Sequence, residues 1–178
     1  MFTIWLTTMA LGAALVGSPP TSPSSSRLRP LDAVARATID AGRGQSRTFA
    51  DLVDAVDRSD FVVYVECSRS MSRELRGELV HGRSSPRVLR VRLRLTLALP
   101  ERVAILAHEL QHVREVIDSG IDNEPAAMGD LFARIGYMTH HILPGAVVYE
   151  TAAALQVERG VANELRRPHL ATDVRRGR

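Results

Sequence analysis

From Leu31 to Arg166 the apolar residues fall into stretches of two different periods, and the order of these stretches predicts the fold. Residues 31–41 repeat their apolar positions at helical spacing and read as a short helix closed by Gly42. A second helix runs from Phe49 to Arg58, with Phe49, Leu52, Val53 and Val56 on one face and Thr48 as its cap, at capping spacing from Asp51. Residues 61–67, FVVYVEC, form a continuous β-branched run and predict a buried strand. Two further runs, 76–81 and 87–97, flank a turn at 82–86 and should pair as a hairpin. In the second of them Val91, Leu93, Leu95 and Leu97 face inward, while Arg90, Arg92, Arg94 and Thr96 form a solvated face. Pro100 then opens a long helix to about Ser119, Pro125 opens another to about Ile135, and a last helix spans Tyr149 to Arg166 before Pro168 stops it. Two helices, three strands and three helices make an α+β fold, a small sheet of about three strands followed by the helices that carry the candidates for chemistry.

The ends of the chain have a different character. Residues 2–17 are an uncharged apolar run, too short to span a bilayer comfortably, followed by the Pro/Ser-rich stretch SPPTSPSSSRLRP. We read 1–18 as a signal peptide or N-terminal membrane segment, 19–30 as a linker, 31–167 as one folded domain and 168–178 as a disordered basic tail that includes His169. This layout predicts export to the periplasm or beyond, with membrane contact only if the first segment stays uncleaved. Among 178 residues, 45% of them hydrophobic, there is one cysteine, so a disulfide framework within the chain is excluded. Cys67 reads as a small buried hydrophobe of the first strand.

The chemistry concentrates in the long helix. His108 and His112 are four residues apart, so both rings lie on one helix face within reach of a single ion, and Glu109 beside the first can address a water bound there. At ~100° per residue Val103, Leu106, Leu110, Val113 and Ile117 form an apolar stripe nearly opposite the histidines. Ala104, one turn earlier on the histidine face, leaves space beside them. A surface helix with two ordinary histidines would need neither the intervening glutamate nor the hairpin directly before it. His81, by contrast, reads as a sheet-surface histidine. The formal charge of +3 suggests no nucleic-acid partner, because all 23 basic residues are scattered arginines and aromatics make up only 4% of the chain.

The segment AILAHELQHVREV resembles the active-site helix of the zincin metallopeptidases, and the strands before it resemble the zincin sheet; the likeness runs from Phe61 to Leu165 and is specific at His108, Glu109 and His112. Small exported bacterial proteins of unassigned activity are similar as well. The resemblance implies Zn²⁺ on the two histidines, Glu109 as general base, and hydrolysis of a peptide or protein substrate. For the third ligand the chain offers Glu115, Asp118, Glu124, Glu150 and the His140–His141 pair. Asp118 has a metzincin-like spacing, but Glu115 stands where those enzymes turn on a glycine. Glu115 lies a further turn along and more naturally hydrogen-bonds a histidine. Glu124 is accounted for by the first turn of its helix. Glu150 continues the stripe Ala154, Val157 and Val161 of the last helix, and the gluzincin branch completes its site with a glutamate from a later helix; Glu150 is therefore the expected third ligand, with Glu115 the runner-up. Tyr149, or one of His140 and His141, is the expected oxyanion donor. The competing reading is a non-catalytic zincin-like domain that captures a partner peptide or protein on its sheet edge. Substrate identity and oligomeric state are open at this level.

Overall fold

The computed structural model describes residues 26–72, 74–81, 87–139 and 148–167. The N-terminal apolar segment, most of the linker, the 82–86 turn, His140, His141, His169 and the basic tail lie outside the described residues. Among those described, no helix is long and apolar enough to cross a membrane.

The elements are β1 (Leu28–Pro30), α1 (Ala33–Gln45), α2 (Arg47–Arg58), β2 (Val62–Ser68), β3 (Gly77–His81), β4 (Val88–Arg94), α3 (Leu99–Ser119), α4 (Pro125–Ile135), β5 (Tyr137–Thr139), β6 (Val148–Glu150) and α5 (Ala152–Arg166). The fold is α+β, as the periodicity predicts. Its main sheet has four strands rather than three, in the order β1-β2-β4-β3, and β5 and β6 form a separate antiparallel ribbon. The extra strand is β1, whose residues composition assigns to the linker. It pairs in parallel with β2, and Leu28 is buried. Pro30 has no N–H to offer, which an edge position tolerates, and Asp57 anchors the entry by accepting from the Ser26 hydroxyl and the Arg27 N–H.

The first two helices differ from the expected boundaries for one reason. Gly42 does not close α1 but lies inside it, buried against the Phe49 ring so closely that a Cβ there would sit 2.7 Å from the ring carbons. The chain turns instead at Ser46, whose hydroxyl accepts from Phe49 N–H and caps α2. Thr48, the expected cap, turns to Glu164 of α5. That carboxylate accepts from the Ser46 hydroxyl at 2.6 Å, the Thr48 hydroxyl at 2.6 Å and the Thr48 N–H at 3.2 Å.

Alternation along β2 and β4 buries Val63, Val65, Leu89, Val91 and Leu93 on one face. The helices cover that face, with α3 packed on β3 and β4. On the other face Arg90 and Arg92 are paired with acids. Arg92 lies between Glu66 at 3.1 Å and Glu78 at 2.6 Å, matching its register opposite both residues. The strand ends at Arg94, so Leu95 and Leu97 lie beyond it. Their carbonyls accept from the buried Arg102 guanidinium, which also donates to the Thr38 hydroxyl at 2.9 Å.

Glu164 therefore joins α5 to the α1–α2 corner. Burial raises the pKa of its carboxyl, but the Ser46 and Thr48 hydroxyls and the nearby N–H groups outweigh that and hold it below the usual value. A lowered folded-state pKa contributes stability above the unfolded value and loses it as the pH falls through the folded one. Glu164→Gln is expected to cost about 1 kcal/mol at pH 7, at the low end for charged hydrogen bonds because the residue is partly exposed. The gap from wild type should close below about pH 4. Chemical denaturation of both proteins at the two pH values checks this; an equal gap at both would refute it.

Candidate metal centre

Helix α3 is buried on nearly all sides. From Arg102 to Leu110 every residue is buried, so the face opposite the apolar stripe is enclosed rather than wet. His108, Glu109 and His112 are only 9%, 6% and 7% exposed. Groups this polar must find partners or lose stability. The surrounding elements supply acids.

The Nδ1 of each imidazole faces a carboxylate acceptor, an arrangement that suits a proton on Nδ1 when Nε2 binds an ion. For His108 the acceptor is Glu158 Oε2 at 3.1 Å, and for His112 it is Glu115 Oε2 at 2.9 Å. Both Nε2 atoms are thereby aimed at the same third group. His108 Nε2 is 3.3 Å from Glu150 Oε2, and His112 Nε2 is 3.6 Å from Glu150 Oε1. These gaps exceed the ~2.7–2.9 Å of a charge-assisted hydrogen bond. They suit an ion between them, since ligands about 2.0–2.1 Å from a tetrahedral centre stand about 3.3 Å apart. The three donor atoms of His108, His112 and Glu150 lie within 4.8 Å of one another. Two imidazoles and one carboxylate are the donor set of a catalytic zinc site, and the acid behind each imidazole is its usual support.

Glu150 thus stands where the sequence argument puts it, but by a different route. Neither Tyr149 nor Glu150 belongs to the last helix: both are on β6, with Tyr149 opposite Met138 and Glu150 opposite Tyr137. Helix α5 begins only after Thr151. Glu158 is the acid on the stripe of buried Ala154 and Val161, one turn from each, and sequence reasoning missed it. Its signal was a glutamate at i+4 from Ala154 and i−3 from Val161.

The remaining expectations sort readily. Glu115 is the support of His112, as its place on the helix suggests. Asp118 is exposed and paired with Arg114 at 3.4 Å, and Glu124 is exposed at the start of α4. His81 is exposed at the end of β3. Ala104 is buried in the core, and Ile105 takes the place expected for it on the cavity wall. Cys67 is half-buried, and burial followed by the charge of Asp32 pushes its thiol up to about 11, well away from reactivity.

Electrostatics follow the geometry. Burial alone pulls His112 down, but its contacts with Glu115 and Glu150 and the charge of Glu109 outweigh this and push it up to about 9. Burial raises Glu150 and Glu115, yet the histidines and Thr151 hold both below the usual carboxylate range. Glu158 is held low first by its bond to His108, then against burial by Arg76, 2.9 Å away. Glu109 goes the other way: burial raises it, only partly offset by the two histidines. Three carboxylates, Glu115, Glu150 and Glu158, thus face the two imidazoles, with Arg76 beside Glu158. So many acids around two imidazoles favour positive charge at the centre, as a divalent cation between Nε2 and carboxylate would supply.

The centre opens into a cavity of about 520 Å³. Met128 and Phe132 of α4 with Val148 and Tyr149 of β6 make an apolar wall; Arg76, Glu78 and Glu158 make a charged one. Phe132 meets His112 edge to face, with ring centres 5.3 Å apart.

His108→Ala or His112→Ala is expected to abolish stoichiometric zinc in the purified protein, and Glu150→Ala to weaken zinc by at least about a hundredfold, because two remaining ligands hold the ion poorly in water. Glu158→Gln should weaken it by about 10–100-fold. Metal analysis and competition against a calibrated chelator check these; unchanged affinity in Glu150→Ala would remove it from the ligand set. No family model, curated protein or solved structure matches the chain, so the chemistry of the centre is argued from its own residues.

Proposed function

We propose that the chain is an exported zinc-dependent hydrolase acting on peptide bonds, with His108, His112 and Glu150 as ligands and Glu109 as general base. The observation that carries this reading is the contrast within one cluster. Each imidazole is answered by acids, whereas Glu109, one residue from a ligand, makes no hydrogen bond or ion pair with a described residue and lines the cavity. A purely structural metal site has no use for such a group.

Zinc on this donor set supplies a coordinated water whose pKa falls towards ~7. Everything else comes from the chain. Glu109, already held above the ordinary carboxylate range by burial, accepts a proton at its carboxylate and returns it to the leaving amine. The Tyr149 hydroxyl is the candidate donor to the oxyanion, since Tyr149 lines the same cavity beside Glu150. Strand β3 ends the sheet, and its outer edge has no partner among the described strands, so an extended peptide can add alongside it with its backbone over the centre. Gly77 lies on that strand against the base. A Cβ there would come within 2.7 Å of Glu109 Oε1 and of Ile105 Cγ2, so a glycine lets strand and helix approach this closely.

A domain that only captured peptides on the β3 edge would keep working without Glu109, and this separates the two readings. Glu109→Gln is expected to retain zinc while hydrolysis of a mixed peptide pool falls by ~10²–10⁴. Turnover at the wild-type rate would rule out Glu109 as the base. Gly77→Ala, which pushes on the same carboxylate from the strand, should lower turnover by about tenfold or more with zinc retained, since small misplacements of catalytic groups carry large rate penalties. Normal turnover there would show that the close approach of β3 does not position the base.

A further inference from the structure

We propose that Thr151 is a positioning residue that fixes the two carboxylates facing His112 as one unit; the inference rests on the metal reading above. Thr151 is 2% exposed and stands between β6 and α5. Its N–H donates to Glu150 Oε1 at 2.8 Å, and its hydroxyl donates to Glu115 Oε1 at 2.8 Å. The same hydroxyl oxygen accepts from Ala154 N–H at 3.1 Å, capping α5.

The division of roles is forced. An ionised carboxylate can only accept, so the single hydroxyl proton is committed to Glu115 and a lone pair is left for the helix. A β-branched side chain adds a stiff χ1 that holds both bonds at once. The second oxygen of Glu115 holds His112 Nδ1 at 2.9 Å, and Glu150 Oε1 stands 3.6 Å from His112 Nε2. One buried residue thus orients the acids on both nitrogens of a single imidazole, joining α3, β6 and α5.

A capping role alone would not require this. An N-cap needs an acceptor for the first turn and nothing more; the donor to Glu115, 36 residues away in sequence, is additional. If Thr151 positions the ligands, removing the hydroxyl changes metal affinity as well as helix stability.

The test is the zinc dissociation constant of the full chain, by chelator competition, in wild type, Thr151→Val, Thr151→Ser, Glu115→Ala and the Thr151→Val/Glu115→Ala pair. Thr151→Val, which keeps the shape, is expected to weaken zinc about 10–100-fold, and Thr151→Ser to stay within about threefold of wild type. The double variant should bind no worse than Glu115→Ala alone, because both changes break one chain of contacts. A residue that only caps α5 would instead lower the unfolding midpoint of the metal-free protein and leave zinc affinity unchanged, which would overturn the proposal. Should Thr151→Val fail to fold, Thr151→Asp keeps a capping acceptor but offers no proton to Glu115. Its zinc affinity should fall tenfold or more, and wild-type affinity there would also overturn the proposal. A wild-type chain that binds no zinc removes the metal reading and this inference with it; zinc bound equally by wild type and Thr151→Val removes this inference alone.

Discussion

The structure depends on one constraint: the middle of its central helix is both the core and the carrier of His108, Glu109 and His112. An apolar helix in that position would need only complementary shape from its neighbours. This one needs complementary charge as well, at low dielectric, where an unanswered charge is far more costly than in water. The surrounding elements can be understood as the response. Helix α3 itself supplies Glu115, α5 supplies Glu158, and β6 supplies Glu150. Three acids around two imidazoles favour positive charge at the centre, which protons or a divalent cation can supply. Metal binding at such a site therefore competes with protons and releases them.

Meeting that constraint requires α5 to be held accurately against α3, and its two ends are secured by different means. At its start, Thr151 caps the helix while bonding across to Glu115. Towards its end, Glu164 accepts three hydrogen bonds from the α1–α2 corner. Between them Ala154 and Val161 are fully buried, so Glu158 is carried inward by the packing of its own helix. The sheet reaches the centre through β3, whose Gly77 lies against Glu109.

The elements most legible in the sequence were those whose periodicity comes from packing against one face. β2, β4, α2 and α3 announce themselves because burial fixes their apolar residues at period 2 or 3.6. The candidate cluster of His108, Glu109 and His112 was legible because a helix converts spacing of four into adjacency. Short elements were not. β1 and β6 have three residues each, too few to establish a period, and each borders a segment of another character. The strand reading of Glu150 was lost for that reason, although Thr151 ahead of an alanine run was a cap signal that would have started α5 three residues later, at Ala152. The stripe argument was sound but attached to the wrong glutamate: on the true helix the acid carried inward is Glu158. Glu150 reaches the centre because the ribbon delivers it, and tertiary pairing of that kind leaves little trace in local sequence. Gly42 and Thr48 illustrate the same limit, since a contact with Phe49 and one with Glu164 displaced their local preferences.

What separates catalysis from simple metal storage is the different treatment of neighbouring acids. Glu115, Glu150 and Glu158 are each paired, and each is held below the ordinary carboxylate range. Glu109 is buried more deeply than a carboxylate tolerates without cost, and its pKa is raised. An apolar residue of similar size would pack against Ile105 and Gly77 without that penalty, so stability gives no reason for a glutamate there. A site that only bound an ion would gain by the replacement. A site that must accept and return a proton near neutral pH needs a carboxyl with a raised pKa beside the metal-bound water. The same residue that costs the fold stability is the one the proposed hydrolysis requires, as functional sites often show. The exception in the packing of α3 therefore supports hydrolysis more strongly than the histidines do, because a buried pair of imidazoles alone would serve a structural metal equally well.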